Sequence, residues 1–101
     1  MNDYRVLLIG PRRDLVDVLR TRQIPFSVWQ NKQAARWPDA EQLVTVPFWK
    51  STDRIRQTVR QEFAGTRFTH VIAGTEAAIY PAALARRLLG ARHSETTTAL
   101  R

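Results

Sequence analysis

Apolar and polar positions along the chain fall into alternating blocks that predict strands and helices in turn. Residues 4–10 (YRVLLIG) form a short apolar run that ends at a glycine, which is typical of a strand buried on both faces. Residues 11–22 group apolar side chains at helical spacing, and Pro11 is acceptable at the first helical position. Residues 24–30 then predict a second strand. A strand, helix and strand this close together favour parallel pairing with a right-handed crossover.

The same alternation continues through the rest of the pattern. A polar stretch at 31–42, about the minimum length for a parallel crossover, leads to a third strand at 43–48 (LVTVPF). A fourth strand is predicted at 68–74 (FTHVIAG), followed by a helix at 81–89 that Gly90 terminates. The positions expected to face inward in this last helix are Ala82, Ala85, Leu88 and Leu89.

Residues 51–65 carry the clearest helix pattern in the chain. Ser51 or Thr52 is the expected N-cap, and Gly65 is the expected C-terminal stop. The apolar stripe has the spacing i, i+4, i+8 and consists of Ile55, Val59 and Phe63. One helix over this range is therefore expected to pack against the sheet.

This order of elements predicts an α/β fold, a Rossmann-like open parallel sheet of about four strands in the order 3-2-1-4 with helices on both faces. In such sheets, ligands bind beyond the carboxyl ends of the strands, where the strand order reverses. That place is the crevice between the first and fourth strands. Its two sides are residues 10–14 (GPRRD), here called the first rim, and residues 74–78 (GTEAA), the second rim.

The glycines and arginines of the rims are candidates for ligand binding. Gly10 and Gly74 permit close backbone approach, and the helix start after Gly10 offers unpaired amides to an anion. Arg12 and Arg13 would add positive charge there, although a solvated surface position explains either arginine taken alone.

Glu76 is the lone carboxylate of the second rim, and the residues leave two interpretations of it open. A carboxylate just beyond a strand can stabilise the helix that follows through the helix dipole, by about 0.3 to 1 kcal/mol. Alternatively, Glu76 binds a substrate ammonium or orients a loop at the crevice.

The composition is that of one ordinary globular domain. The chain has 101 residues, of which 44% are hydrophobic and 25% are charged, and these values argue against disorder. No apolar run is long enough for a membrane span, and the first residues are too polar for a signal peptide, so we expect a cytoplasmic protein that is not inserted in a membrane. The absence of cysteine excludes disulfides and thiolate metal sites, and with two histidines no structural metal is expected.

The net charge of +7 raises the question of nucleic acid binding. The cations are dispersed, nearly all are arginines, and they stand singly or in pairs between apolar positions. That distribution favours a solvated surface over a nucleic-acid patch. A basic nucleic-acid-binding domain is the weakest alternative, and it predicts oligonucleotide affinity that falls steeply with salt.

No self-sufficient catalytic motif is present in the sequence. The loop after the first strand lacks the three-glycine dinucleotide pattern, and the second strand ends in amide side chains where an acid would hold a ribose. No aspartate follows the third strand as a phosphoacceptor, and there is neither a Walker-type loop nor a nucleophile–base pair. The chain is therefore expected to run no chemistry unaided.

Residues 70–90 (HVIAGTEAAIYPAALARRLLG) combine a strand-end glutamate, apolar residues, a proline and the pattern A-x-x-A-R-x-L-G. This stretch resembles the last strand, glutamate loop and helix of the N-terminal domain, called the preATP-grasp domain, of the ATP-grasp ligases. The opening VLLIG and the order of elements agree with that family, so the resemblance spans essentially the whole chain. The matching residues are Glu76, Pro81, Ala82, Ala85, Arg86, Leu89 and Gly90.

The resemblance implies a three-part ligase that activates a carboxylate with ATP as an acyl phosphate and couples it to an amine. The N-terminal domain of such an enzyme supplies part of the acceptor-substrate crevice and often an oligomer contact. The implied partners are the C-terminal ATP-grasp domains, a small-molecule carboxylate or amine, and a second copy in a homodimer. ATP and Mg²⁺ belong to the later parts of the enzyme, so no cofactor is expected in this chain, and the chain alone is expected to be inactive.

The resemblance also implies a set of substrate-binding residues and a domain boundary. The role implied for Glu76 is to position a substrate or a loop, not to transfer a proton. The implied crevice residues are Glu76, Thr75 and Gly74 on the second rim, with Gly10, Arg12 and Arg13 on the first. Residues 1–93 would form the preATP-grasp domain, and residues 94–101 would begin a linker helix toward the ATP-grasp domains.

The chain stops at Arg101, before the Asp–Lys pair that follows in the family, so we expect a domain cut from a longer enzyme. The alternative is a complete stand-alone α/β interaction module. The contact surface of that module would consist of Phe48, Trp49 and Trp37.

Overall fold

Four parallel strands form the centre of the structure, a computed structural model that describes residues 4–32, 37–47 and 51–91. The strands are β1 (Val6–Ile9), β2 (Phe26–Gln30), β3 (Leu43–Thr45) and β4 (His70–Ala73). They lie in the order β3-β2-β1-β4, and each neighbouring pair is parallel. The predicted α/β class and the predicted strand order are both confirmed.

Three α-helices connect and cover the strands. They are α1 (Arg13–Thr21), α2 (Thr52–Thr58) and α3 (Ile79–Leu89). Helix α2 continues directly into a π-helical segment, Val59–Phe63, and a short 3₁₀ turn, Glu76–Ala78, leads into α3. The sequence pattern predicted one regular helix over 51–65, whereas the structure ends this helix in a π-helical turn. In that turn the Glu62 carbonyl accepts a hydrogen bond from Gln42 Nε2.

The helix ends follow local chemistry, with two shifts from the predicted starts. Ser51 caps α2 by accepting a hydrogen bond from the Arg54 amide at 3.2 Å, and Gly90 ends α3 in the left-handed conformation at φ 68°. Helix α1 begins at Arg13, two residues after Pro11, because Arg12 is still extended. Helix α3 begins at Ile79, two residues before Pro81 and directly after the 3₁₀ turn.

The two faces of the sheet bury separate apolar clusters, and alternate residues of β1 supply both. Leu7 and Ile9 face α2 and α3, whereas Val6 and Leu8 face α1. The helices therefore cover both faces, as predicted. The stripe of α2 and its π-helical extension is buried as expected, with exposed fractions of 2% for Ile55, 1% for Val59 and 0% for Phe63.

Helix α3 presents a narrower inward stripe than the sequence pattern predicted. Ala82 and Ala85 are fully buried, and Leu89 packs against the core at the edge. Leu88 is 37% exposed, so its predicted inward position is wrong. The physical reason is that Leu88 lies one residue, or about 100° of helix rotation, from the stripe that Leu89 continues.

Two predictions involve residues that lie outside the described ranges. Trp37 is buried against the α1 face, so it does not belong to an exposed contact surface, whereas Phe48 and Trp49 lie outside the described residues. The boundary at residue 93 and the linker at 94–101 also lie outside them.

None of the helices in the described ranges combines the length and apolarity needed to cross a membrane.

Candidate functional site

The two rims meet where β1 and β4 end side by side. Ile9 and Ala73 are register partners, and each is followed by a glycine. The Gly74 amide donates to the Ile9 carbonyl at 2.9 Å, and the Gly10 amide donates to the Trp29 carbonyl at 2.9 Å. Strand-like pairing therefore runs one residue past β1 and β4.

Gly74 is required by the contact between the rims. A Cβ added there would overlap the Gly10 carbonyl oxygen, with the Gly10 carbonyl carbon at 3.1 Å and the Arg12 amide nitrogen at 3.5 Å. Gly10 itself has φ 70°, a conformation that favours glycine. The close approach that the glycines permit is thus an approach of one rim to the other.

Arg12 is engaged within the first rim. Its Nε donates to Asp14 Oδ1 at 3.0 Å, and its Nη2 donates to Asp14 Oδ2 at 2.5 Å, which makes a bidentate pair. Because of the hydrogen bond to Asp14, the pKa of Arg12 is raised, and the bond from Arg12 is the main cause that lowers the pKa of Asp14. Both side chains are exposed, so this pairing neutralises charge more than it stabilises the fold.

Arg13 lies against Trp37. Its guanidinium lies 5.7 Å from the ring centroid of Trp37, in cation–π range. Trp37 Nε1 donates to Gln30 Oε1 at 3.3 Å, and Gln30 lies at the carboxyl end of β2. The fold thus places Arg13 over Trp37, which is bonded in turn to the end of β2.

Glu76 and Thr75 are exposed on the second rim. Thr75 is extended at the start of the 3₁₀ turn, and its side chain makes no capping hydrogen bond. Glu76 is the first residue of that turn, and among the described residues it has no hydrogen-bond or ion-pair partner. The position is compatible with the helix-dipole interpretation and with a binding role.

Two exposed residues, three and four positions after Glu76, follow the second rim, although sequence reasoning did not select them. Ile79 is 61% exposed and Tyr80 is 56% exposed. The Tyr80 hydroxyl lies 3.0 Å from Thr52 Oγ1 at the start of α2. The sequence pattern offered no signal for them, because the predicted helix began at Pro81, after both residues.

The other motif residues of this segment have structural roles. Arg86 donates to the Val71 carbonyl on the edge strand β4, at 3.2 Å from Nε and 2.8 Å from Nη2. Pro81, Ala82 and Ala85 are buried, Leu89 packs on the core, and Gly90 caps α3. Glu76 is therefore the one residue of the motif for which the described fold supplies no packing or bonding role.

Comparison with solved structures gives a whole-chain likeness. The chain is similar to an L-amino acid ligase from Bacillus licheniformis, with a TM-score of 0.63 and 17% sequence identity, over 99% of this chain and 27% of that one. At this identity the likeness shows the fold. The chain spans about a quarter of the length of the ligase, whose remaining part has no counterpart in it. No family model matches the sequence, and no curated protein does.

Proposed function

We propose that this chain is the N-terminal, substrate-side domain of an ATP-grasp ligase that joins a carboxylate to an amine through an acyl phosphate. The observation that carries the proposal is Glu76, an exposed carboxylate beyond β4 in a motif whose other members all serve the fold. The whole-chain likeness to part of an L-amino acid ligase supports the same proposal independently of the motif.

The residues of the rims would hold a substrate beside Gly10 and Gly74. Glu76 would bind or orient a polar group of the substrate, and Thr75 would offer a hydroxyl beside it. In the complete enzyme, ATP with Mg²⁺ would supply the phosphoryl group that converts the substrate carboxylate into the acyl phosphate. The resemblance to the ATP-grasp ligases is our reason to assign that chemistry to the other domains. In the described ranges there is also no group of three or more His, Asp or Glu side chains that could hold a metal ion.

The direct test uses the longest reading frame that contains this chain. The purified product is assayed for ADP release with pairs of L-amino acids, and the same assay is run on Glu76→Gln. We expect amino-acid-dependent ADP release, and a rise in KM of about tenfold or more for one substrate, because a hydrogen bond to a charged group contributes about 1.5 to 3 kcal/mol. The KM for ATP should not change.

Glu62→Gln is the matched control. It makes the same chemical change on an exposed glutamate in the π-helical segment, whose backbone is tied to Gln42 just before β3, at the opposite end of the sheet. A product with no amino-acid-dependent ADP release, or with equal KM values in both variants and the wild type, would contradict the proposal.

A second measurement tests the assignment of ATP to the other domains. The chain alone, heated with and without Mg²⁺ and ATP, should melt at the same temperature, because only a ligand that binds the folded state raises Tm. A rise that grows with ATP concentration would place a nucleotide site in this chain.

A further inference from the structure

Helix α3 is apolar on the side that faces solvent as well as on the side that it buries against the sheet. Its buried residues are Pro81, Ala82 and Ala85. The outer face of α3 consists of Ile79, Tyr80, Ala83, Leu84, Arg87 and Leu88. Because Arg86 is bonded to the Val71 carbonyl, Arg87 is the one charge on this outer face.

Helices α1 and α2 show the ordinary pattern instead. The exposed residues of α2 are Asp53, Arg54, Arg56 and Gln57. The exposed residues of α1 are Arg13, Asp14, Asp17, Val18 and Thr21. A helix with one solvated side carries polar residues there, whereas a helix that is apolar on all sides is ordinarily buried on all sides. By this comparison within one chain, α3 has the composition of a helix whose outer face is covered.

The large side chains of the outer face form a continuous row. Tyr80, Leu84 and Leu88 have the spacing i, i+4, i+8, so each is a neighbour of the next on the helix surface. The Tyr80 hydroxyl, 3.0 Å from Thr52 Oγ1, ties one end of the row to α2, and Ile79 stands next to it with 61% of its surface exposed. Single exposed apolar residues are normal, but a contiguous apolar surface marks an interaction site.

The size and the charge of the outer face argue against a second copy of the chain as its cover. Helix α3 has 11 residues, which makes the face about 16 Å long and about 10 Å wide. Stable interfaces between free proteins bury about 800 Å² on each partner, several times what such a face offers. Two copies would also bring together chains of net charge +7 through faces whose one charge is a cation.

A partner in the same polypeptide needs no large interface. Covalent attachment gives it an effective concentration on the order of mM, so a small apolar contact suffices. The described chain leaves α3 through Gly90 and Ala91, so any polypeptide that continues from it starts beside this helix. The similar L-amino acid ligase matches this chain over 27% of its own length, and the rest of that ligase has no counterpart here.

We propose that the outer face of α3 is the docking surface for the ATP-grasp part of the same polypeptide. That part would cover Ile79, Tyr80 and Leu88 with apolar side chains and place a carboxylate against Arg87, since charges across an interface are complementary. This inference rests on the proposed function, and it adds which surface of the domain meets the rest of the enzyme.

The first experiment measures the accessibility of single side chains by hydroxyl-radical labelling and mass spectrometry. It compares the 101-residue chain with the product of the longest reading frame that contains it. Leu88 is 37% exposed in the chain, and Leu43, 43% exposed on the edge strand β3, is the matched control. In the longer product we expect Leu88 to lose its labelling to the level of the buried Leu7, while Leu43 keeps its own.

Equal labelling of Leu88 in the two proteins would overturn the inference. Protection of Leu88 in the 101-residue chain that grows with protein concentration would also overturn it, because the cover would then be a second copy. A reading frame that ends at Arg101 would overturn it together with the proposed function.

The second experiment tests the charge of the partner. Arg87→Glu in the longer product should restore labelling of Leu88, because the new carboxylate would face the carboxylate of the partner. Arg22→Glu is the control, since it makes the same change at an exposed position at the end of α1, on the other face of the sheet, and it should leave Leu88 protected. Equal protection of Leu88 in both variants would overturn the role of Arg87.

The outcomes separate this inference from the proposed function. Amino-acid-dependent ADP release by a longer product in which Leu88 stays labelled would overturn the docking surface and leave the proposed function standing. Protection of Leu88 in a longer product without that activity would contradict the proposed function and leave α3 as a surface that the rest of the polypeptide covers.

Discussion

The two rims are built on the same plan, a strand followed by a glycine and a helix, but they differ in how they use their polar groups. On the first rim Arg12 and Asp14 satisfy each other, and Arg13 is covered by contact with Trp37. On the second rim Glu76 has no partner among the described residues, and large apolar side chains follow it at the surface. The first rim is thus self-contained, whereas the second carries features that the fold does not require.

The difference teaches where function can be sought in a small α/β domain. A polar residue with a structural role can be recognised by its contacts, as Arg86 is by its hydrogen bond to the Val71 carbonyl. A residue that the fold leaves exposed and unpaired, inside an otherwise structural motif, is the place to test for a role outside the domain. Each prediction below tests one side of this comparison.

The largest effect should come from breaking the contact that joins the rims. Gly74→Ala forces its Cβ against the Gly10 backbone, which cannot give way as a flexible side chain can, and we expect a loss of about 3 kcal/mol in the free energy of unfolding. Urea denaturation measures it. Gly65→Ala is the control, because nothing lies within 4 Å of its added Cβ, and equal stabilities of the two variants would disprove the contact.

A smaller effect is expected where α3 holds the edge of the sheet. Arg86→Leu leaves the Val71 carbonyl without the guanidinium, and the free energy of unfolding should fall by about 2 kcal/mol. Arg87→Leu, at the exposed next position, should stay within about 0.5 kcal/mol of the wild type. If both variants lose the same stability, Arg86 has no special structural role.

Tyr80, the exposed aromatic residue that follows the second rim, should matter little for the stability of the chain. Tyr80→Phe removes the hydroxyl that lies 3.0 Å from Thr52 Oγ1, and we expect a change within about 0.5 kcal/mol by urea denaturation. A loss above about 1 kcal/mol would mean that the fold depends on this polar contact, which would contradict the difference drawn between the two regions.

The smallest effect concerns the pH dependence of the first rim. The hydrogen bond from Arg12 lowers the pKa of Asp14 below its ordinary value of 3.8, so the pair contributes stability above that value and loses it as the pH falls through the lower folded-state pKa. Wild type should melt slightly above Asp14→Asn at pH 7, and the difference should vanish in strong acid. A difference that grows in acid would have the wrong sign.

Much of this architecture was predictable because it depends on local periodicity. The stripe of Ile55, Val59 and Phe63 encodes burial at a spacing of four, and the apolar runs that end at Gly10 and Gly74 encode strands. The exposure of Leu88 was missed because the predicted stripe included both Leu88 and Leu89, and the packing of α3 shows that Leu89 is the one that continues it. The π-helical turn likewise depends on tertiary contacts, among them the bond from Gln42.

The sequence by itself determined the element order, the strand order and the edge of the sheet where the candidate residues gather. It did so because hydrophobic spacing and helix caps act between near neighbours, and the strand order follows from the rules of parallel sheets. Only the tertiary structure decided which charges are paired there. The pairing of Arg12 with Asp14 depends on the extended backbone of Arg12 at the start of α1, and the approach of the two rims is fixed only when the sheet brings β1 and β4 together.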